Sequence, residues 1–314
     1  MSQASSAALA LTSFHATDTR GSASTCRLPD GRRLAYEEYG CPDGRPVLYF
    51  HDAGSSRLEG ALFHTQARNC GLRLIAADRP GVGQSDFTPV SEPLEFCRDV
   101  LFLADRLNLS RFAVLSFGSG GIYALALARY FPQRLEAHVS IGGVPGSVFA
   151  EMAGNSSVAN CLGGVTPTLI KCLVRLKYRL FPENPAQNIA RLGSHLNYTD
   201  RKLLQDASFT RRLVHDQQEA LRHGYRGVAQ DIALNFRKLD FRLQDITVPT
   251  AIWLGGADPL TQRADCEFLA TRLPRARLFR AANLGHFFFV HRMDQIFASL
   301  VQTDGDRLRP SLAA

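Results

Sequence analysis

Phe112-Ala-Val-Leu115, Ser116-Phe-Gly-Ser-Gly-Gly121 and Ile122-Tyr-Ala-Leu-Ala126 follow one another without a break, and this junction decides the fold. The first piece is a short apolar run that reads as a buried strand. The second is a glycine-rich turn, and the third starts an apolar helix that reaches about Tyr130. A strand passing straight into a helix is the elementary step of an α/β sheet.

Working outward, the same alternation recurs on both sides. Asp30-Gly31, between extended segments of the stretch Cys26 to Tyr39, predicts a hairpin. Pro46 to Phe50 and Leu72 to Ala77 read as buried strands, with helical patterns over Gly60 to Asn69 and Glu92 to Leu107. Beyond the junction, Leu135 to Ile141, Thr250 to Leu254 and Ala276 to Arg280 read as strands. Helices are expected from Arg263 to Arg272 and after His286. Strands alternating with helices imply right-handed crossovers and a mostly parallel central sheet flanked by helices. Between about Pro145 and Asp245 the pattern is helical with no clear strand, which predicts a helical cap insertion over the strand ends, where ligands bind. The expected organisation is a flexible tail over 1–25, an α/β core over 26–144 and 246–314, and a cap over 145–245.

Composition bounds the partners. The 314 residues are 45% hydrophobic and 21% charged, which suits one large α/β domain. The formal charge of +7 is scattered, with no Lys/Arg block, so neither nucleic acid nor a lipid surface is expected as partner. No apolar run approaches the roughly 20 residues that cross a bilayer. The segment up to Ser24 has Arg20 as its single basic residue and no compact apolar stretch, unlike a secretory signal. The default expectation is a cytoplasmic protein, with a weak organellar targeting peptide left open. Seven cysteines (Cys26, Cys41, Cys70, Cys97, Cys161, Cys172 and Cys266) include no CxxC pair and read as reduced thiols. No spacing suggests a metal site, and no cofactor is expected.

Several signatures now stand in order: the His51 loop, Asp78-Arg-Pro-Gly-Val-Gly-Gln-Ser85, the turn at 116–121, Gly255-Gly-Ala-Asp258-Pro-Leu260, and Leu284-Gly-His286. Together they resemble the α/β-hydrolase superfamily in its capped form, over about residue 26 to the last helix. The resemblance implies an α/β-hydrolase fold whose triad runs nucleophile, acid, histidine along the chain. It makes Asp258 the acid and His286 the base, the carboxylate holding the imidazole in one tautomer. It also implies that His51, Asp52, Ala53, Ser119 and Phe287 contact a small-molecule substrate. His15 lies in the tail, and His64, His138, His195, His215, His223 and His291 read as solvated or structural.

The elbow of that superfamily reads Gly-x-Ser-x-Gly, with the serine on a strained turn. Counting forward from Leu115 and back from Gly121 puts Gly118 in the nucleophile position. A rival register makes Ser119 the nucleophile, at the cost of Phe117 where a small residue belongs. In the first register the N–H of Ser119 serves the oxyanion hole instead. A phosphate-cradling loop is disfavoured, because the third glycine of a dinucleotide site and the lysine of a P-loop are both missing. The oxyanion loop departs too, since Asp52 follows His51 where a glycine is common. A carboxylate there opposes a developing oxyanion by about 1 to 4 kcal/mol, although a solvated or capping aspartate fits equally well. Loss of the nucleophile removes about six orders of magnitude of rate in a serine hydrolase.

Three expectations follow. The first is an enzyme on a small, moderately apolar organic compound, diverged from serine hydrolysis and using His286 with Asp258 for hydrolysis, elimination or cyclisation. The second is a non-catalytic pseudo-hydrolase that binds a ligand. The third is a serine esterase using Ser119. The cap segment Glu219 to Asp231 resembles the end of the cap in a bacterial and fungal branch, and its polar residues read as caps or solvated groups more readily than as pocket lining. Phe149, Phe181 and Phe287-Phe-Phe289 suggest a greasy ligand, and core packing explains them equally well.

Overall fold

The computed structural model describes residues 23–146, 167–180 and 184–301. Phe149, Phe181 and Cys161 lie outside them. Eight strands form one sheet: β1 (Ser24–Arg27), β2 (Arg33–Gly40), β3 (Arg45–Phe50), β4 (Leu72–Ala77), β5 (Phe112–Phe117), β6 (Leu135–Ile141), β7 (Thr250–Gly255) and β8 (Ala276–Ala281). Their spatial order is β1-β2-β4-β3-β5-β6-β7-β8. β1 and β2 pair antiparallel, as do β2 and β4, and every other neighbouring pair is parallel. The β1–β2 hairpin turns at Asp30-Gly31, where Gly31 takes φ +87° and the Asp30 carboxylate accepts the Arg32 N–H. The edges are the four-residue β1 and β8, whose Arg277 and Arg280 are exposed.

Successive side chains of a strand point to opposite faces, so a strand covered on both sides is apolar throughout. In β3, Leu48 and Phe50 enter one core while Val47 and Tyr49 enter the other. β5 divides Phe112 and Val114 from Ala113, Leu115 and Phe117 in the same way. The first core is closed by α2 (Pro93–Arg106) and α3 (Gly121–Tyr130), together with α9 (Arg263–Arg272). The second is closed by α1 (His64–Asn69) and α10 (Met293–Val301), where Phe63, Phe289 and Phe297 pack ring against ring. The helix expected from Gly60 begins earlier, as a 3-10 turn over Arg57–Phe63 that Ser56 caps through the Leu58 N–H.

Among the described residues between β6 and β7 there is no strand. That stretch holds α4 (Pro167–Leu180), α5 (Pro185–His195), α6 (Tyr198–Leu204), α7 (Ala207–Ala220) and α8 (Arg226–Asn235). Asn184, Asn197 and Asp206 start three of these helices by accepting first-turn N–H groups, the usual work of Asx residues at a helix entry.

Within the Glu219 to Asp231 segment, Arg222, His223 and Arg226 are exposed, as the sequence suggested, but three polar residues are not. Glu219, Gln230 and Asp231 are buried. Glu219 meets Arg57 at 2.7 Å, and the same guanidinium bonds Asp78 at 2.7 Å. Asp231 pairs with Arg79 at 2.7 Å and accepts the Tyr123 hydroxyl. Gln230 bonds the backbone of Thr88 and Val90. Arginines distant in sequence draw these groups inward, because a buried charge is tolerable only when paired.

Candidate active site

Between β5 and α3, residues Gly118–Gly120 make a single 3-10 turn. Gly118 has φ +51°, in the left-handed region that favours glycine, and Ser119 does not take a positive φ. A β-carbon on Gly120 would lie 2.2 Å from the Phe50 carbonyl oxygen, so only glycine lets α3 begin against the end of β3. Ser119 is buried, and its hydroxyl has no hydrogen-bond partner among the described residues.

The loop after β3 brings Asp52 to this turn. Its Oδ1 accepts the Ser119 N–H at 2.7 Å. A β-carbon added to Gly118 would meet Oδ1 at 2.2 Å, Cγ at 2.4 Å and Oδ2 at 2.9 Å. Asp52 is half-buried, and its carboxylate holds an N–H of the turn that opens α3, a capping contact made from a distant loop. Its own N–H donates to Glu59 at 2.9 Å, and Arg79 donates to its carbonyl at 2.7 Å. Glu59 in turn accepts the Tyr49 hydroxyl at 2.6 Å.

Arg79 also reaches the His51 carbonyl at 2.7 Å and His51 Nδ1 at 2.9 Å, and its guanidinium lies 5.1 Å from the Tyr123 ring centre. The same Nδ1 lies 2.9 Å from the Asp52 carbonyl oxygen, so a guanidinium donor and a carbonyl acceptor meet at one ring nitrogen. Burial, reinforced by the Arg79 charge, holds His51 well below its ordinary pKa, and the ring is neutral. His51 is an interior residue here, and Ala53 sits half-buried in the following turn.

On the other side, Gly256 and Ala257 after β7 donate to Ala281 at the end of β8 and to Leu284 beyond it, tying the two loops together. Asp258 thereby meets His286, with Oδ2 3.0 Å from Nδ1. An ionised carboxylate accepts, so Nδ1 carries a proton. Nothing among the described residues bonds Nε2. Burial pulls the imidazole down, but the Asp258 hydrogen bond and the charges of Asp258, Asp52 and Asp200 outweigh it and leave its pKa raised. Burial pushes the Asp258 carboxyl up, and the His286 hydrogen bond and charge more than reverse this.

The histidine loop is anchored by a residue the sequence did not mark. Asp200, in the first turn of α6, accepts the His286 and Phe287 N–H groups at 2.7 and 2.9 Å. In Asn197-Tyr-Thr-Asp200 the only visible signal was an ordinary helix start. Phe117 and Phe287 flank the His286 ring, with centroids 5.2 and 5.3 Å away, and Phe209 of α7 packs edge-on against Phe287.

Gly118, Ser119 and Asp52 thus meet at one turn, and His286 joins Asp258 within electrostatic reach of Asp52. Among the described residues no three His, Cys, Asp or Glu side chains are grouped to hold a metal ion. Nor is any helix among them long and apolar enough to cross a membrane.

The fold has many relatives. The chain is 22% identical over 280 residues to the 3-oxoadipate enol-lactonase 1 of Acinetobacter baylyi, covering 87% of this chain and 94% of that one. It is 26% identical over 251 residues to a 2-hydroxy-6-oxononadienedioate/2-hydroxy-6-oxononatrienedioate hydrolase of Cupriavidus pinatubonensis, covering 77% and 80% respectively. The solved structure of a hydrolase from Pseudomonas aeruginosa superposes with a TM-score of 0.67 at 21% identity, covering 91% of this chain and all of that one. The family model described as the alpha/beta hydrolase fold matches residues 46–292, most of the chain and every loop just described, and the protein belongs to that family.

Proposed function

We propose that this protein is an acid–base enzyme acting on a small, moderately apolar compound with keto or enol character, and that it works through His286 and Asp258 without an elbow serine. The observation that carries this reading is the absence of a side chain at the sharp turn. Gly118 holds the left-handed conformation, while the adjacent Ser119 hydroxyl is buried and makes no bond to His286. An imidazole with a carboxylate partner still moves protons when no hydroxyl is there to activate. Keto or enol character is drawn from the printed names of the two relatives, an enol-lactonase and an oxo-acid hydrolase. The setting expected for it is the cytoplasm, in keeping with six unpaired cysteines among the described residues.

A non-catalytic binding role is the second reading. The ordered His286–Asp258 pair, held from the cap by Asp200, favours catalysis, since a binder has no need of an oriented imidazole.

Two measurements test the proposal. A fluorophosphonate probe is expected to leave Ser119 unlabelled, and stoichiometric labelling there would restore a serine esterase. Once a turned-over keto compound is in hand, His286→Ala is expected to abolish turnover. Full turnover in that variant would sink the acid–base role.

A further inference from the structure

We propose that Asp52 is the catalytic base of this site, its carboxylate standing in the space that a side chain on residue 118 would take, with His286 as the acid. The inference rests on the acid–base reading above and adds to it the group that receives the substrate's proton.

The placement is built rather than incidental. The main chain of Asp52 is pinned from both ends, by Glu59 on its N–H and Arg79 on its carbonyl. Oδ1 is oriented by the Ser119 N–H at 2.7 Å, while Oδ2 has no partner among the described residues. All three carboxylate atoms fall within 2.9 Å of where a β-carbon on Gly118 would sit. Glycine at 118 thus admits the carboxylate, and any larger residue evicts it. A loop held this firmly fixes a reacting group to the tolerance catalysis needs.

His286 complements it. Nδ1 is committed to Asp258, and Nε2 is uncommitted among the described residues. Asp258, Asp52 and Asp200 all act electrostatically on the ring, which favours its charged, proton-donating form. No direct hydrogen bond joins Asp52 and His286, so each keeps a free atom for a substrate. A base and an acid, each with an uncommitted atom, are the pairing that proton-transfer catalysis requires.

The reaction class is keto–enol interconversion of small apolar ketones with an acidified α-carbon, such as 1,3-dicarbonyls. Asp52 Oδ2 takes the α-proton, and the C–H electron pair becomes the C=C bond. The carbonyl π pair moves to oxygen, which takes the Nε2 proton of His286. Exchange with solvent restores both side chains, and the reverse sequence ketonises an enol. No oxidant, reductant or second substrate is consumed.

Benzoylacetone tests this directly. Diluted from an apolar solvent in which it is enolic, it ketonises in water with loss of the enol's ultraviolet band. The full-length protein is expected to accelerate that loss and, in D2O, to place deuterium at the α-carbon. Asp52→Asn is expected to slow it by about 10²- to 10⁴-fold, the range of general acid–base catalysis. Asp52→Glu should retain a measurable part. In the ketonising direction the protonated Asp52 carboxyl gives its proton to carbon, so the rate's dependence on that proton should vanish in Asp52→Asn. Gly118→Ala, which leaves Asp52 intact but takes its space, should lose the rate as well. Circular dichroism confirms that each variant is folded. If Asp52→Asn keeps the wild-type rate while His286→Ala loses it, this inference fails and the acid–base reading stands. If the wild type accelerates nothing, or neither variant changes its rate, both fail. Cleavage of benzoylacetone to acetophenone, in place of ketonisation, overturns both in favour of hydrolysis.

Discussion

Asp200 and His286 belong to different parts of the chain, yet the Asp200 carboxylate accepts the main-chain N–H of His286 at 2.7 Å. Its second oxygen takes the N–H of Phe287. Helix α6 therefore sets the loop that presents the imidazole. Hydrogen bonds to a buried charged acceptor contribute about 1.5–3 kcal/mol each, so Asp200→Ala is expected to lower stability by about 2–4 kcal/mol. Turnover should fall at least tenfold in the same variant. Thermal denaturation and steady-state rates check both, and a variant as active and stable as wild type would remove Asp200 from the account.

The His286–Asp258 pair carries a pH signature. The raised pKa of His286 means a stabilising contribution that is complete below its unfolded value and lost as pH rises through the folded one. The lowered pKa of Asp258 works oppositely, its contribution vanishing as pH falls through the folded value. The pair therefore stabilises most between those limits. In Asp258→Asn the His286 titration followed by NMR should move to lower pH. An unmoved midpoint would mean the hydrogen bond has no electrostatic weight.

Gly118 and Asp52 exclude one another's alternatives. Gly118→Ser alone puts a β-carbon 2.2 Å from Oδ1 in a left-handed conformation, and is expected to cost about 1–3 kcal/mol and gain no esterase activity. Combining it with Asp52→Gly clears the space and frees the Ser119 N–H for an oxyanion. The double variant should hydrolyse p-nitrophenyl acetate at least ~100-fold faster than the single one and accept a fluorophosphonate at position 118. Equal activity in the two would show that Asp52 does not obstruct the turn.

Glu59 and Asp216 predict a slope in stability. Burial, with the charge of Asp216 and then of Asp52, pushes Glu59 up to about 8, and burial pushes Asp216 up to about 7. A carboxyl whose folded pKa is raised stabilises fully below its unfolded value and loses that contribution as pH climbs through the folded one. The melting temperature should therefore decline between about pH 5 and 8. Asp216→Asn, which keeps an acceptor for Ser56, should flatten the decline. An identical slope in the variant would assign it elsewhere.

Much of the architecture was readable before any coordinates. Apolar runs such as Leu72 to Ala77 and Thr250 to Leu254 announce strands buried on both faces, and the local chemistry of Asp30-Gly31 dictates a hairpin. Boundaries were blurrier: β5 runs on through Ser116 and Phe117, because strand pairing with β6 extends past the apolar stretch. The contact of Asp258 with His286 was expected from resemblance, not from local pattern. Arg57, Glu59, Asp200, Glu219 and Asp231 were out of reach. Each is an ordinary charged residue until the fold supplies its partner from a distant segment, and no periodicity encodes that pairing. Asp52 was noticed as an anomaly, but only the turn of the backbone at Gly118 shows which space its carboxylate fills.

The two ends of the sheet carry a consequence for the protein's solution behaviour. One is a strand too short to template another, and the other bears two exposed arginines, Arg277 and Arg280. Unpaired rims are where foreign chains add on and fibrils nucleate, and brevity and positive charge are what discourage it. Self-association of this molecule should therefore avoid its strands altogether, and concentrated samples should fail by some route other than cross-β stacking.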